Sequence, residues 1–178
     1  MKKTLSSIIL GASLVVTGTV AADELQLPLA FSLEAHVIGM ELVGLVPEGL
    51  RFDVHVDIEL KGDRMFGGAT GSAIDYLLVR HDGVLIADVR AIGVLVDGTP
   101  FAYSSQGIVG DPTIVPPLEA WLDPEFESPD MDLPYHLVMR FQTMAPQYAF
   151  VHYTVFGCRG TVNPGAGVVR FNCYSLAD

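Results

Sequence analysis

Eleven residues from Leu50 to Leu60 alternate between apolar and polar without a fault. Side chains along a strand point to opposite faces with period two. Leu50, Phe52, Val54, Val56, Ile58 and Leu60 therefore share one face, and Arg51, Asp53, His55, Asp57 and Glu59 share the other. A strand patterned this way covers a core with one face and meets water with the other. Helical periodicity is nearly absent elsewhere, and strand-like runs recur at short intervals between Gly, Pro and Asp. The chain is therefore expected to be all-β: a single antiparallel β-barrel, closed or nearly closed, of eight or nine strands, with a two-sheet sandwich as the other architecture this pattern allows.

The remaining strands are read from the same signals. Phe31 to Val43 is the first, written as two pieces if Gly39 interrupts it. Gly67 to Ser72 is small-residue chain suited to a bend, a bulge or a close approach. Ile74 to Arg80 and Val84 to Val96 flank a hairpin turn at His81-Asp82-Gly83, and Phe101 to Val109 follows the Asp97-Gly98 turn. Tyr135 to Gln142 and Tyr148 to Phe156 read as a hairpin, with His136, Arg140, Gln142, Tyr148, His152 and Thr154 on its polar, outward face. Val168 to Leu176 is the last strand.

Two segments differ from this pattern. Lys2 and Lys3, the apolar run Leu5 to Val16 and the small residues Thr19 to Ala22 have the layout of a secretory signal peptide, residues 1–22, cleaved after Ala21 or Ala22. Residues 23–178 then form one domain, exported to the periplasm or secreted, with no membrane insertion after cleavage. Gly110 to Pro134 carries six prolines and seven acidic residues and reads as an inserted loop or lid, with Trp121, the only tryptophan, as a lid contact or a plug.

Charge narrows the partners. The full chain carries −11, and loss of Lys2 and Lys3 leaves 8 basic against 21 acidic residues, or −13. Such a surface repels nucleic acid and anionic lipid. In an oxidising compartment the two cysteines, Cys158 and Cys173, are expected to pair. They flank Arg159 to Asn172, read as a Gly- and Pro-containing loop. Asp53, His55 and Asp57 offer alternate ligands on one strand face, but an exposed strand has the same pattern, so no metal is assigned. No nucleotide fingerprint or Gly-x-Ser-x-Gly elbow occurs, and no cofactor is expected.

The strongest candidate site lies in Ile86 to Val94. Asp88 and Arg90 share a face with Ile86, Ile92 and Val94, and the opposite face is apolar too, so both faces are expected to be covered and the charges buried. Across the His81–Gly83 turn, Asp75 falls opposite residues 89 and 90. One arginine between two carboxylates would either lock strand register or form a pocket in which Arg90 binds an oxyanion while Asp75 or Asp88 moves a proton.

The middle of the chain resembles the family named domain of unknown function 3237. The matching residues are Gly67-Gly68 to Gly71, Ser72-Ala73-Ile74-Asp75-Tyr76, Arg80-His81-Asp82-Gly83, Ala87-Asp88-Val89-Arg90, Val96-Asp97-Gly98, Tyr148-Ala149-Phe150-Val151-His152 and Val155-Phe156-Gly157. The resemblance implies a compact antiparallel β-barrel and no general activity. This chain departs from the family at Tyr76 and His152, where Trp and Asn are usual, at the Leu95-Val96-Asp97-Gly98 turn, and in the length of the 110–134 insertion.

Three functions fit these observations. The first is a barrel that binds a small, largely apolar molecule in its lumen, against Asp75, Tyr76, Asp88, Arg90, Tyr103, Trp121 and His152. The second is a cofactor-independent isomerase, cyclase or lyase using Arg90 with Asp75 or Asp88. The third is an envelope structural or interaction module. Oligomeric state is not legible in the sequence.

Overall fold

The computed structural model describes residues 27–111, 113–123 and 125–176, with backbone only at Arg64; the expected signal peptide lies outside the described residues. Eight antiparallel strands close on themselves in chain order: β1 (Leu29–Val46), β2 (Gly49–Gly62), β3 (Ala69–Arg80), β4 (Leu85–Val94), β5 (Pro100–Val109), β6 (Leu133–Thr143), β7 (Phe156–Asn163) and β8 (Val168–Ser175). Closure is made by β1 and β8, paired from Leu29↔Tyr174 to His36↔Val168. Among the described residues no helix is long and apolar enough to cross a membrane.

The Leu50–Leu60 alternation lies in β2 as expected. Its apolar residues line the lumen, where Leu50, Phe52, Val56, Ile58 and Leu60 are buried. One end of the lumen is filled by aromatics. Phe31 stacks on Phe66 at 4.3 Å, and Phe141 and Phe156 meet them edge-on at 5.2–5.7 Å. Offset and edge-to-face ring contacts of this kind pack more favourably than face-to-face stacks.

The opposite end is crossed by the loop from Gly110 to Asp132. It holds one helical turn, α1 (Leu118–Trp121). Trp121 is half-buried, packs against Phe52 at 6.2 Å and Phe126 at 4.9 Å, and donates its Nε1–H to the Pro116 carbonyl at 3.1 Å. The loop is also tied to the β7–β8 turn, where the Gly165 amide donates to the Pro129 carbonyl and Asn163 donates to Asp130.

Several local expectations are corrected. The first strand is continuous, with β-bulges between Val37 and Gly39 and between Leu42 and Gly44 in place of a break. Tyr148 to Phe156 is not a strand: Pro146 to Tyr153 forms a 3₁₀ segment, and β7 starts only at Phe156. Pro146 has no N–H for a ladder and suits the first turn of a helix. Val151, the buried residue of that segment, is only 1% exposed. Residues 159–163 belong to β7 and not to a loop. Gly160 looked like loop chemistry, but a Cβ there would lie 1.8 Å from the Arg170 carbonyl oxygen, so this glycine permits close strand approach.

The outer face of β4 is not covered. Among the described residues nothing packs outside this wall: Ile92 and Val94, with Val96 just beyond the strand, are 69%, 47% and 74% exposed. The inward residues are Leu85, Ala87, Val89 and Ala91.

Cys158 and Cys173 are directly opposed on β7 and β8, 4.1 Å apart at Cα, and form a disulfide. The bridge closes a loop of 15 residues' separation, which corresponds to about 3 kcal/mol in the chain-entropy treatment. Replacement of both cysteines by serine is expected to lower unfolding stability by roughly that amount; urea denaturation under non-reducing conditions measures it.

Candidate functional site

Closure gives each strand one inward face, and most of what it presents inward is hydrocarbon. The middle of the lumen is the exception. Asp75 from β3, Tyr103 and Ser105 from β5 and Tyr135 from β6 line a small cavity of about 40 Å³, together with apolar residues that include Val56, Val89, Leu137 and Val169. Ser105 is 2% exposed and its Oγ has no hydrogen-bond partner among the described residues. Burial, then the nearby Asp75 charge, pushes both tyrosine hydroxyls well above the usual phenol range.

Asp75 occupies a gap in the β3–β4 ladder. The register runs to Asp75↔Val89 and resumes at Leu78↔Ile86, leaving Tyr76 and Leu77 unpaired on that side. Asp75 Oδ1 accepts the Asp88 backbone N–H at 3.0 Å, taking the place of a ladder carbonyl. Burial raises the Asp75 pKa from 3.8 to about 7. The Asp88 N–H opposes the shift, the Asp88 carboxylate adds to it, and Arg51 lowers it again. The net result is a carboxyl poised between its two protonation states near neutral pH, facing a cavity.

The other predicted site residues are distributed differently. Tyr103 lies in the lumen with Asp75. Asp88 and Arg90 point outward and form an exposed ion pair, with side chains 36% and 51% exposed. The expected arginine between two carboxylates does not form: Asp75 reaches the Asp88 backbone from inside, while the Arg90 guanidinium stays on the outer wall. Tyr76 also faces outward, under the Arg51 guanidinium at 4.9 Å. Trp121 is at the loop end, against Phe52. His152 lies outside the barrel, with Nε2 2.8 Å from the Thr143 carbonyl oxygen. Asp53 is paired with Arg51 on the outer wall of β2.

Ser105 and Tyr135 were not singled out in the sequence, though parity could have found them. Ser105 shares its strand face with Phe101 and Tyr103, and Tyr135 shares its face with Leu137, Met139 and Phe141.

The family model described as Protein of unknown function (DUF3237) matches residues 27–176. The chain belongs to this family. No curated protein matches it. Among solved structures, this DUF3237 barrel is similar to a protein of unknown function from Clostridium acetobutylicum, at 21% identity and TM-score 0.65, covering 84% of this chain and 97% of that one. A conserved protein of unknown function from Rhodopseudomonas palustris matches at 18% identity and TM-score 0.65, over 84% and 96% of the two chains. A β-barrel-like protein from Acinetobacter baumannii matches at 18% identity and TM-score 0.63, over 84% and 94%. At these identities the likeness is one of fold.

Two predictions follow from the placement of the charges. The native state of the DUF3237 barrel holds a proton on Asp75 that the unfolded chain has released, so stability declines as pH rises from about 4 to about 7 and then levels off. Asp75→Asn is expected to remove that decline, on the order of 2–4 kcal/mol across the window; urea unfolding at pH 5 and pH 8 reads it. Arg90→Ala, by contrast, removes an exposed ion pair and a hydrogen bond to the Val89 carbonyl and should change stability by about 1 kcal/mol, visible as a small change in melting temperature.

Proposed function

We propose that this barrel, exported from the cell, binds a small, largely apolar molecule in its lumen, with the molecule's polar group received by Asp75, Tyr103, Ser105 and Tyr135. The observation that carries the reading is the Ser105 hydroxyl, buried and without a partner among the described residues, beside an Asp75 carboxyl that forms no ion pair among them. A buried polar atom left unpaired costs on the order of 1–3 kcal/mol. A fold selected only for stability would place an alanine there. The Cys158–Cys173 disulfide supports an oxidising compartment.

The cavity of about 40 Å³ has room for roughly one water molecule. A larger ligand therefore enters by displacing the Gly110–Asp132 loop at the open end. Apolar surface is already in place there. Met40, Leu42 and Leu45 pair with Val54, Phe52 and Leu50, so they continue the lumen face past the end of β8, and they are 57%, 63% and 62% exposed.

A second reading is favoured by the Asp75 pKa near 7. In it the protein is a cofactor-independent isomerase, cyclase or lyase, with Asp75 as the acid–base group and Asp88 and Arg90 outside the chemistry.

Native mass spectrometry of protein purified from its exporting host tests the binding reading. A co-purifying small molecule is expected, and it should be lost in Ser105→Ala and Asp75→Leu. Ser105→Ala should also raise the melting temperature of the ligand-free protein, because it removes an unsatisfied buried polar group. Absence of any bound molecule, combined with a lowered melting temperature in Ser105→Ala, would mean that the polar set serves the fold.

A further inference from the structure

The outer wall carries a second constellation that the lumen does not use. Arg90 on β4 is directly opposite Ser104 on β5, and Ser104 is directly opposite Arg140 on β6. With adjacent strands about 4.8 Å apart, the two arginines stand roughly 10 Å apart at Cα, on either side of one hydroxyl. β6 outruns its partner here: β7 pairing ends at Met139↔Phe156, so the edge beyond is faced by the Pro146–Tyr153 segment. Between them lies a groove of about 680 Å³ lined by Ser104, Arg140, Gln142, His152, Tyr153 and Thr154. A smaller hollow of about 280 Å³ continues from it to Arg90.

Two features of the groove point to a ligand. Arg51, Arg80, Arg90 and Arg170 each pair with a carboxylate, whereas Arg140 and Arg159 pair with none among the described residues; of these two, only Arg140 stands across a single hydroxyl from a second arginine, Arg90. In a chain with 21 acidic residues against 10 basic ones, a carboxylate partner is easily supplied, so an arginine left unpaired beside a second arginine and an exposed ring is informative. Tyr153, on the same groove, is 87% exposed, an aromatic ring presented to solvent beside the charge. Its position is held from below, by the buried Val151 and by the Thr154 hydroxyl donating to the Phe150 carbonyl at 2.9 Å.

We infer that this groove binds a small organic carboxylate. Arg140 takes the carboxylate through its planar guanidinium, the geometry arginine offers to a two-oxygen anion. Arg90 and the Ser104 hydroxyl bound the anion on its other side, and the Tyr153 ring covers the ligand's body. Asp88 offsets Arg90, so the row Asp88, Arg90 and Arg140 carries one net positive charge. That matches a monoanionic carboxylate better than a dianionic phosphate. The site is on the opposite side of the β5 wall from the lumen and does not depend on the lumen reading.

Benzoate titrated into the full chain and followed by amide chemical shifts tests the inference. Saturable shifts are expected at Ser104, Gln142 and Tyr153. Arg140→Gln should weaken binding at least tenfold, Tyr153→Ala should weaken it several-fold, and neutral benzamide should not bind. All of these residues are at the surface, so the variants should fold. Absence of saturable shifts, or an unchanged affinity in Arg140→Gln, overturns the assignment. So does equal binding of inorganic phosphate with no loss in Tyr153→Ala, which would mean that charge alone is read. Shifts confined to lumen residues such as Tyr103 and Ser105 overturn it as well.

Discussion

The pairing of β1 with β8 is the constraint on which the structure depends. Eight antiparallel strands in chain order need only this last ladder, from Leu29↔Tyr174 to His36↔Val168, to become a closed surface. Closure pairs the backbone of the first and last strands and gives every strand a single inward face. It also sets the size of the interior. A barrel of eight strands is just wide enough for side chains to fill it, and here Phe31, Phe66, Phe141 and Phe156 fill one end. The closing ladder is shorter than β1 itself. From Ile38 to Val46 that strand pairs with β2 alone, and its apolar face is carried out beyond the barrel.

Against that filled interior, the polar middle is a departure with an energetic cost. Asp75 sits beside a gap in the ladder and repairs it with its own carboxyl group, at the expense of an acid held in an apolar setting that disfavours its charge. Ser105 adds a hydroxyl at the same level that is unpaired among the described residues. Where sequence and stability disagree locally, function is the usual reason. The disagreement is concentrated in one layer of the lumen, between the aromatic plug and the end crossed by the Trp121 loop. The barrel therefore combines a rigid, well-packed base with a layer that is costly as it stands.

The outer wall is organised by different physics. It is one strand thick with solvent on its far side, so charges there are cheap and pairs such as Asp88–Arg90 contribute little to stability. Placing that pair outside moves the candidate chemistry. The lumen keeps Asp75 without its expected arginine, and Arg90 instead joins Arg140 across Ser104. The lumen group and the outer arginines are two separate surfaces of the same wall.

Much of the fold was legible because alternation is local. The Leu50–Leu60 pattern, the placement of Asp75 opposite residue 89 across a short turn, and the family resemblance over most of the chain follow from residue order alone. Two kinds of information did not. The Tyr148–Tyr153 run is apolar enough for a strand, but Pro146 starts a 3₁₀ segment whose Val151 is buried, a contact that exists only once the barrel has formed. Gly160 read as loop because its tight contact with β8 is a property of the paired strands. The sequence by itself determined which residues share a face: Asp88 with Arg90, and Ala87 with Val89. Only the tertiary structure decided which face looks inward, because period two has no sign, and the sign is set when closure turns one side of the sheet away from water.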